Sequence, residues 1–372
     1  MKELRIKDIC DKGSSNLKQK DVEGKNGLYP VYGASGIISH IDTYHQEANY
    51  IAIVKDGSGI GRVTFMPAKS SVIGTMQYIL PKDGFNINYI GYCLQSLDLS
   101  KYKQGAAIPH IYFRDYGERV VKVTEDINEQ QSIVDYLDSA FAKIDAMKAN
   151  AEKRLNEAKA LFQASLKKML EPKEGWEEKK LGDIAEDSAD GPFGSNLKKE
   201  HYTTQKEVRI IQLSNIGEDG WREENTKYTT FEHLKDISRS EVEPNDIVIA
   251  KMMPAGRAIL CPSHEPKFVL SSDAVKIKLK KGMETRFILH SINSPYFRNE
   301  VYENVTGSGR VRTSLTKLRA CSIFLPPLSI QQSIVATLDS LKSKVDKLQE
   351  NYDKISQECD ALKQAILRQV FE

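Results

Sequence analysis

A 45-residue segment occurs twice in this chain of 372 residues, and it constrains the fold more than any other feature. Residues 127–171 align without a gap with residues 328–372, and 19 of the 45 positions are identical. Chance similarity between two helical segments would give only a handful of identities, so the segment is duplicated. The chain is therefore predicted to run as globule, arm, globule, arm, over residues 1–126, 127–171, 172–327 and 328–372.

Both arms have the apolar spacing of long helices that pack along one stripe. In the second arm the steps alternate between four and three residues, which is typical of a coiled-coil seam. The seam residues of this arm are Ile334, Leu338, Leu341, Val345, Leu348, Tyr352, Ile355, Cys359, Leu362 and Ile366. The first arm follows the stripe less strictly, because Arg154 interrupts it. Its stripe residues are Ile133, Leu137, Ala140, Ile144, Met147, Ala151, Ala158 and Leu161.

A stripe of this length needs a partner, because a lone rod would expose it to water. About 42 helical residues form a rod roughly 60 Å long. We predict that the two arms pair with each other in antiparallel orientation, since each arm follows a related globule. An ordinary helical hairpin and a coiled coil between two copies of the chain are the alternatives.

The two globules contain short apolar runs between turn residues, a pattern typical of strands. Strands are predicted at Tyr50–Val54, Val63–Met66, Gln77–Leu80, Val208–Leu213, Asp246–Ala250, Ala258–Cys261 and Val275–Leu279. Short helices are predicted at Ile87–Leu97 and Thr285–Asn293. The predicted fold class is therefore α+β, with two pseudo-repeated α/β globules joined by two long antiparallel coiled-coil helices.

Composition limits the partners that the chain can have. Fifty-three Lys and Arg against 51 Asp and Glu leave a net charge of +2, so any nucleic-acid surface must be a local patch. Five scattered cysteines without a Cys-x-x-Cys pair argue against a disulfide framework or zinc finger and fit a reducing compartment. Without an apolar leader or a run of about 18 apolar residues, we expect no secretory signal, no membrane span and a cytoplasmic location.

No sequence signature of catalysis is present. The chain has neither a GxxxxGK[ST] phosphate loop nor the Asn-Pro-Pro or Asp-Pro-Pro motif of an amino-methyltransferase. Lys55–Arg62 is glycine-rich, but Arg62 stands where a dinucleotide-binding loop needs its last glycine, so this stretch is predicted to be a turn between strands. His40 and His45 lack a set of metal ligands around them. We therefore predict a binding protein with no catalytic residue and no metal site.

Loops that combine Gly and Ser with cations and aromatic residues occur at matching places in both globules. Small residues let backbone N–H groups approach phosphates, while Arg, Gln and Asn can read base edges. These loops are Tyr29–Gly36, Lys55–Arg62, Lys101–Arg114, Gly191–Ser195, Lys251–Arg257 and Thr306–Ser314. Any single one could be a plain polar surface loop, but the recurrence favours DNA binding. The predicted DNA-binding residues are Tyr32, Lys55, Ser58, Arg62, Lys103, Gln104, His110, Arg114, Lys198, Lys251, Arg257, Ser308, Arg310, Arg312, Thr313 and Lys317.

Together these features resemble the specificity subunit of type I restriction-modification systems, over essentially the whole chain. The resemblance rests on the duplicated units, on Gly-Pro-Phe-Gly-Ser at 191–195 and on Pro-Val-Tyr-Gly at 30–33. It rests also on the start of the second arm, Pro-Pro-Leu-Ser-Ile-Gln-Gln-Ser-Ile at 326–334. The first arm departs from this pattern, because residues 124–131 lack the prolines.

The resemblance implies two target-recognition domains that each read half of a split DNA sequence, with the arms as a spacer between them. It implies a non-catalytic subunit that binds no cofactor and docks two methylation subunits, which use S-adenosylmethionine to methylate adenine N6. With restriction subunits added, such a complex cleaves DNA using ATP and Mg²⁺. Because the two loop sets differ in sequence, the two half-sites are expected to differ as well.

Other functions stay compatible with the sequence. The chain could be the specificity chain of a related phage-defence methylation system, and neighbouring genes would separate that case. It could also be a coiled-coil scaffold whose globules bind proteins. An unrecognised nuclease is the third alternative, which metal-dependent cleavage by the purified chain would favour.

Overall fold

A computed structural model describes residues 1–105, 109–303 and 312–372. It divides into two compact units. Unit 1 comprises Met1–Lys153 and Glu350–Glu372, and unit 2 comprises Arg154–Gln349. Each unit therefore contains one globule together with a part of both arms. The assignment of 1–126 and 172–327 as target-recognition domains stays a prediction.

The first globule is built around a buried central strand. Tyr50–Val54 pairs with Met76–Pro81 on one side and Val63–Met66 on the other, and Cys10–Ser14 forms the outer strand. All pairs in this sheet are antiparallel. All five residues of Tyr50–Val54 are buried, as the continuous apolar run predicts for a strand that is covered on both faces.

Smaller sheets and short helices complete the first globule. A three-stranded sheet has the order Gly36–Ile41, Tyr29–Gly33, Ser71–Val72. Lys2–Arg5 pairs with Val120–Val123, which brings the two ends of the globule together. The helices are Ile6–Ile9, Gln19–Val22, Ile87–Ser96, Phe113–Tyr116 and the 3-10 helix Leu99–Tyr102.

The second globule repeats the central sheet. Ile247–Ala250 lies between Ala274–Leu279 and Ala258–Leu260, with Ala185–Asp190 as the outer strand. The pairing is again antiparallel, and the central strand Ile247–Ala250 is again buried throughout. The two globules thus share a strand order as well as an echo in sequence.

A five-stranded sheet distinguishes the second globule from the first. Its order is Tyr202–Thr203, Tyr228–Thr229, Val208–Ile211, Lys267–Leu270, Glu241–Val242, and the pair Val208–Ile211 with Lys267–Leu270 is parallel. The ends of this globule meet where Glu177–Lys180 pairs with Ser322–Leu325. The α-helices are Leu181–Ile184, Phe231–Asp236, Thr285–Ile292, Pro295–Glu303 and Leu315–Ala320. The 3-10 helices are Lys199–His201, Leu213–Asn215 and Ser238–Ser240.

The predicted strands and helices of both globules are confirmed to within two residues at each end. Tyr50–Val54 and Val63–Met66 have the predicted bounds. The helices predicted at Ile87–Leu97 and Thr285–Asn293 each end one residue earlier, at Ser96 and Ile292. The α+β fold class is therefore confirmed.

Each predicted arm forms one long helix. The first arm helix is Ile127–Met169 and the second arm helix is Leu328–Phe371. Inside unit 1, Asp145 pairs with Lys363 at 2.6 Å and Lys148 pairs with Asp360 at 3.4 Å. The later residue of the first helix meets the earlier residue of the second, so the helices run antiparallel, as predicted.

The predicted stripe of the arms is confirmed at several positions. Ile334, Leu338, Val345 and Cys359 of the second arm helix are buried, and so are Leu137 and Ile144 of the first. Leu155 of the first arm helix is also buried, so the first stripe is wider than a strict seam. The prediction was wrong for Met147, Leu161 and Leu362, which are 60%, 60% and 48% exposed.

Candidate nucleic-acid interface

In unit 1 the loop after the central strand meets a second loop that is distant in sequence. The backbone amide of Ile111 donates to the carbonyl oxygen of Lys55 at 3.0 Å, and Gly57 N–H donates to the carbonyl of Pro109 at 3.1 Å. Next to these bonds, Nδ1 of His110 contacts the carboxylate of Asp56. We call Lys55–Gly57 with Pro109–Ile111 the first junction.

The glycines around the first junction allow a tight turn. Gly57, Gly59 and Gly61 have φ values of 82°, 83° and 84°, a left-handed conformation that residues with a Cβ rarely adopt. A Cβ on Gly61 would also lie 2.9 Å from the backbone nitrogen of Ser100. The stretch connects two antiparallel strands, so the prediction of a turn between strands is confirmed.

Cationic and aromatic side chains surround the first junction. The guanidinium of Arg114 lies over the ring of Tyr112 at 4.5 Å, and that ring lies 4.0 Å from the ring of His110, measured between centroids. The backbone of Gln104 exchanges two hydrogen bonds with His110, at 2.8 and 2.9 Å. Burial, together with the positive charges of Lys55 and Arg114, lowers the pKa of His110. The structure therefore brings together four of the predicted residues of the first globule.

Unit 2 contains the equivalent arrangement. The backbone amide of Thr313 donates to the carbonyl oxygen of Lys251 at 2.8 Å, and Met252 forms a β-bridge with Arg312. We call Lys251–Met252 with Arg312–Thr313 the second junction. It borders an open cleft of about 740 Å³, which we call the second cleft. The cleft is lined by Asp190, Gly191, Pro192, Phe193, Gly194, Lys251, Met252, Ser272, Asp273, Arg312, Thr313, Ser314 and Lys317.

Carboxylates hold the cations of the second cleft in place. Lys251 Nζ lies 2.7 Å from a carboxylate oxygen of Asp190, and the Lys251 side chain is only 12% exposed. Arg312 lies 3.0 Å from Asp273, and its side chain is 51% exposed. Lys317 also lines the cleft. Because Lys251 and Arg312 are held by carboxylates, both side chains are already in position to bind an anion in the cleft.

Thr313 is placed differently from the other predicted residues of this cleft. It is only 5% exposed, and its hydroxyl has no hydrogen-bond partner in the described part of the chain. Its backbone amide, rather than its side chain, holds the second junction together.

The remaining predicted residues are not brought into the two junctions by the contacts of the structure. Arg62 donates to the carbonyl of Ala34, and Arg257 Nε donates to the carbonyl of Pro254 at 3.1 Å. Tyr32 is partly buried against the core of the first globule, and Lys198 pairs with Glu200 at 3.6 Å. Ser58 and Lys103 are exposed. Ser308 and Arg310 lie outside the described residues.

Sequence reasoning missed several residues of these sites. Tyr112 and Phe193 stand within loops that the composition singled out, so their aromatic character was a usable signal. Asp190 and Asp273 gave no signal, because they lie 61 and 39 positions from the cations that they pair with.

Within residues 1–105, 109–303 and 312–372 no group of three or more His, Cys, Asp or Glu side chains could hold a metal ion. None of the helices in these ranges has the length and apolar character needed to cross a membrane.

The family match reflects the duplicated organisation of the chain, because one model matches it twice. The family model for the type I restriction modification DNA specificity domain matches residues 1–157 and again residues 173–357. No curated protein sequence matches the chain. Among solved structures, a chain from a study of complex assembly and conformational transition of the type I R-M system is similar, with 15% identity, a TM-score of 0.71 and coverage of 98% of this chain and 96% of that one. The HsdS subunit from Thermoanaerobacter tengcongensis is similar with 14% identity, a TM-score of 0.52 and coverage of 98% and 95%.

Proposed function

Because this chain belongs to the family of type I restriction-modification DNA specificity domains, we propose that its two globules each read one half of a bipartite DNA target. The observation that carries this proposal is the duplicated junction. In both globules the backbone carbonyl of a lysine accepts a hydrogen bond from a second loop. Lys55 accepts from Ile111 at 3.0 Å, and Lys251 accepts from Thr313 at 2.8 Å. Cations stand beside both bonds, as a surface for DNA phosphates and base edges requires.

The two half-targets differ in this proposal, because the side chains on the shared backbone differ. The first junction presents Asp56 and His110, whereas the second presents Met252 and Arg312. A carboxylate can accept from cytosine N4, and Arg can donate to guanine O6 and N7. Identical halves would contradict this reading of the two junctions.

The arms act as the spacer between the two half-targets. Two helical turns per arm, or about seven residues, add about 10 Å of rise and correspond to about three base pairs. Inserting seven residues into both arm helices is therefore expected to lengthen the non-specific gap of the target. An unchanged gap would eliminate the spacer function.

The arms also dock the methylation subunits. Met147, Leu161 and Leu362 are apolar and about half or more exposed, although they belong to the repeated stripe. Exposed apolar side chains on long helices are compatible with a protein partner. We expect two copies of the methylation subunit, one for each repeat, and restriction subunits in a complete complex. In this proposal S-adenosylmethionine, ATP and Mg²⁺ are bound by those subunits, and this chain carries no catalytic residue.

Co-expression with the methylation subunit tests the function directly. Genome-wide detection of methyladenine is expected to show one bipartite sequence with two different halves. Expression of the methylation subunit alone is the control and should give no such sequence. Methylation that does not depend on this chain, or that follows a single uninterrupted sequence, would contradict the proposal.

A further inference from the structure

Phe193 has an unusual position at the second cleft. Its side chain is 82% exposed, and it lines the cleft together with Lys251, Met252 and Arg312. Exposure of a single apolar residue is common and needs no explanation by itself. An aromatic ring in a cleft whose other walls are mostly cations, carboxylates and small residues is less common, and it calls for a physical reason.

The backbone under Phe193 is anchored firmly. Gly191 N–H donates to the carbonyl of Ala274 at 2.9 Å, and a Cβ on Gly191 would lie only 1.7 Å from the carbonyl oxygen of Ser271. Pro192 is buried, and the amide of Asn196 donates to the carbonyl of Phe193 at 2.7 Å in a turn. The exposed ring therefore projects from a fixed backbone, which reduces the entropy lost when a ligand contacts it.

The first globule has no aromatic residue at the matching position. The outer strand Ala185–Asp190 runs directly into Gly191-Pro192-Phe193. The equivalent strand Cys10–Ser14 of the first globule runs into Ser15-Asn16-Leu17, which contains no aromatic residue. The exposed aromatic ring is thus a property of the second globule.

We propose that Phe193 reads a base of the second half-target through an apolar contact, either with a thymine methyl group or with a base step that it partly unstacks. This inference rests on the proposed function. Phosphates attract the cations of the cleft, but they offer nothing to an aromatic ring, whereas base edges and base faces do. Lys251, Arg312 and Lys317 hold the duplex against the cleft, and Phe193 supplies selectivity that electrostatics cannot supply.

The test compares Phe193→Ala with wild type in the full complex with methylation subunits. The probes are a duplex that carries the methylated sequence found in cells and a random-sequence duplex of the same length. Phe193→Ala is expected to weaken binding of the target by about tenfold, since burial of a Phe side chain contributes on that order. Binding of the random duplex should not change. The dependence of affinity on salt should also stay as in wild type, because no phosphate contact is lost.

Leu28→Ala is the matched control, because Leu28 is also 82% exposed but belongs to the first globule and to neither junction. This variant should bind both duplexes as wild type does. Replacing thymines of the second half-target by uracil distinguishes the two modes of contact. Loss of the methyl group weakens wild type but not Phe193→Ala if the ring touches a methyl group, and it affects both equally if the ring enters a base step.

Several outcomes would overturn the inference. Equal binding of the target by Phe193→Ala and wild type would do so, as would an equal loss on the target and the random duplex, or a failure of Phe193→Ala to assemble with the methylation subunits. If Arg312→Ala weakens DNA binding while Phe193→Ala does not, only the inference about Phe193 fails. If neither variant changes DNA binding, the proposed DNA surface of the second globule fails as well.

Discussion

The backbone amide of Thr313 donates a hydrogen bond to the carbonyl oxygen of Lys251 at 2.8 Å, and Ile111 repeats this bond to Lys55 at 3.0 Å in the first globule. A bond between backbone atoms does not depend on which side chains are present. The duplicated fold can therefore keep the same frame while the side chains of the two loops diverge. Two copies of one ancestral unit can therefore keep the same backbone contact and still recognise different DNA sequences.

Arg312 is the clearest single test of the second junction. Because its side chain is half exposed and its ion pair with Asp273 is accessible to solvent, Arg312→Ala should leave the fold intact. If Arg312 contacts a phosphate, the variant should bind DNA more weakly. The plot of the logarithm of the association constant against the logarithm of the salt concentration should become less steep by about 0.9. Titrations at several salt concentrations measure this, with Lys267→Ala, a cation outside the cleft lining, as the control.

An unchanged slope together with reduced affinity for the target alone would mean that Arg312 reads a base edge rather than a phosphate. Unchanged binding to both the target and random DNA would remove Arg312 from the interface.

The sequence predicts the repeated central sheet well and the rest of the second globule poorly, for a physical reason. Tyr50–Val54 is a continuous apolar run bounded by turn residues, and such runs are visible without any tertiary information. Glu241–Val242 and Tyr228–Thr229 are strands of two residues, too short to show a period. Their place in the five-stranded sheet depends on neighbours that are distant along the chain.

The candidate site is divided in the same way. Lys251 and Arg312 could be proposed because loop composition is local. The burial of the Thr313 side chain and the bond from Arg62 to the carbonyl of Ala34 depend on contacts between remote segments. Composition therefore singled out loops that the structure brings together, but it did not identify which side chains in them face solvent.

Gly191 is predicted to be essential for the loop that carries Phe193. A Cβ at this position would lie 1.7 Å from the carbonyl oxygen of Ser271, so Gly191→Ala must displace backbone. We expect a loss of roughly 1–3 kcal/mol in the free energy of unfolding. Gly194→Ala is the matched control, because nothing lies within 4 Å of its added Cβ, and its effect should stay within about 0.5 kcal/mol. Urea denaturation of both variants measures the difference, and equal stability would contradict the packing argument.

Gln130 is predicted to attach the first arm helix to the first globule. It is fully buried, its amide donates to the carbonyls of Gly84 and Thr124 at 3.1 and 2.9 Å, and its oxygen accepts from Asn86 N–H at 2.7 Å. Gln130→Ala would leave these groups without that partner, at a cost of about 2–3 kcal/mol. Denaturant unfolding should show this loss.

Gln131 and Gln331 provide graded comparisons for that variant. Gln131 is exposed, so Gln131→Ala should cost less than about 1 kcal/mol. Gln331 is the repeat equivalent of Gln130, but within the described residues its side chain makes one hydrogen bond, to the carbonyl of Pro326 at 2.8 Å, and its side-chain oxygen has no partner. Gln331→Ala should therefore cost less than Gln130→Ala. The reverse order would show that these hydrogen bonds do not determine how the arms are attached.

His290 is predicted to make the stability of the chain depend on pH. Its Nε2 lies 3.1 Å from the Asp339 carboxylate, and Arg286 pairs with the same carboxylate at 2.6 Å. Burial lowers the pKa of His290 despite the opposing effect of Asp339, while Arg286 adds to the lowering. Because the unfolded chain takes up a proton at a higher pH than the folded chain, stability is lost as pH falls below about 6.5, by at most about 1.4 kcal/mol per pH unit.

The first globule suggests the variant that tests this pH dependence. There Tyr92 donates to Asp138, the repeat equivalent of Asp339, and a tyrosine does not titrate in this range. His290→Tyr should therefore lose less stability than wild type between pH 7.5 and pH 5.5, when melting temperatures are compared by calorimetry at both values. His290→Gln, which keeps a neutral donor without the ring, should behave in the same way. If both variants lose as much stability as wild type, the proton taken up on unfolding belongs to another group.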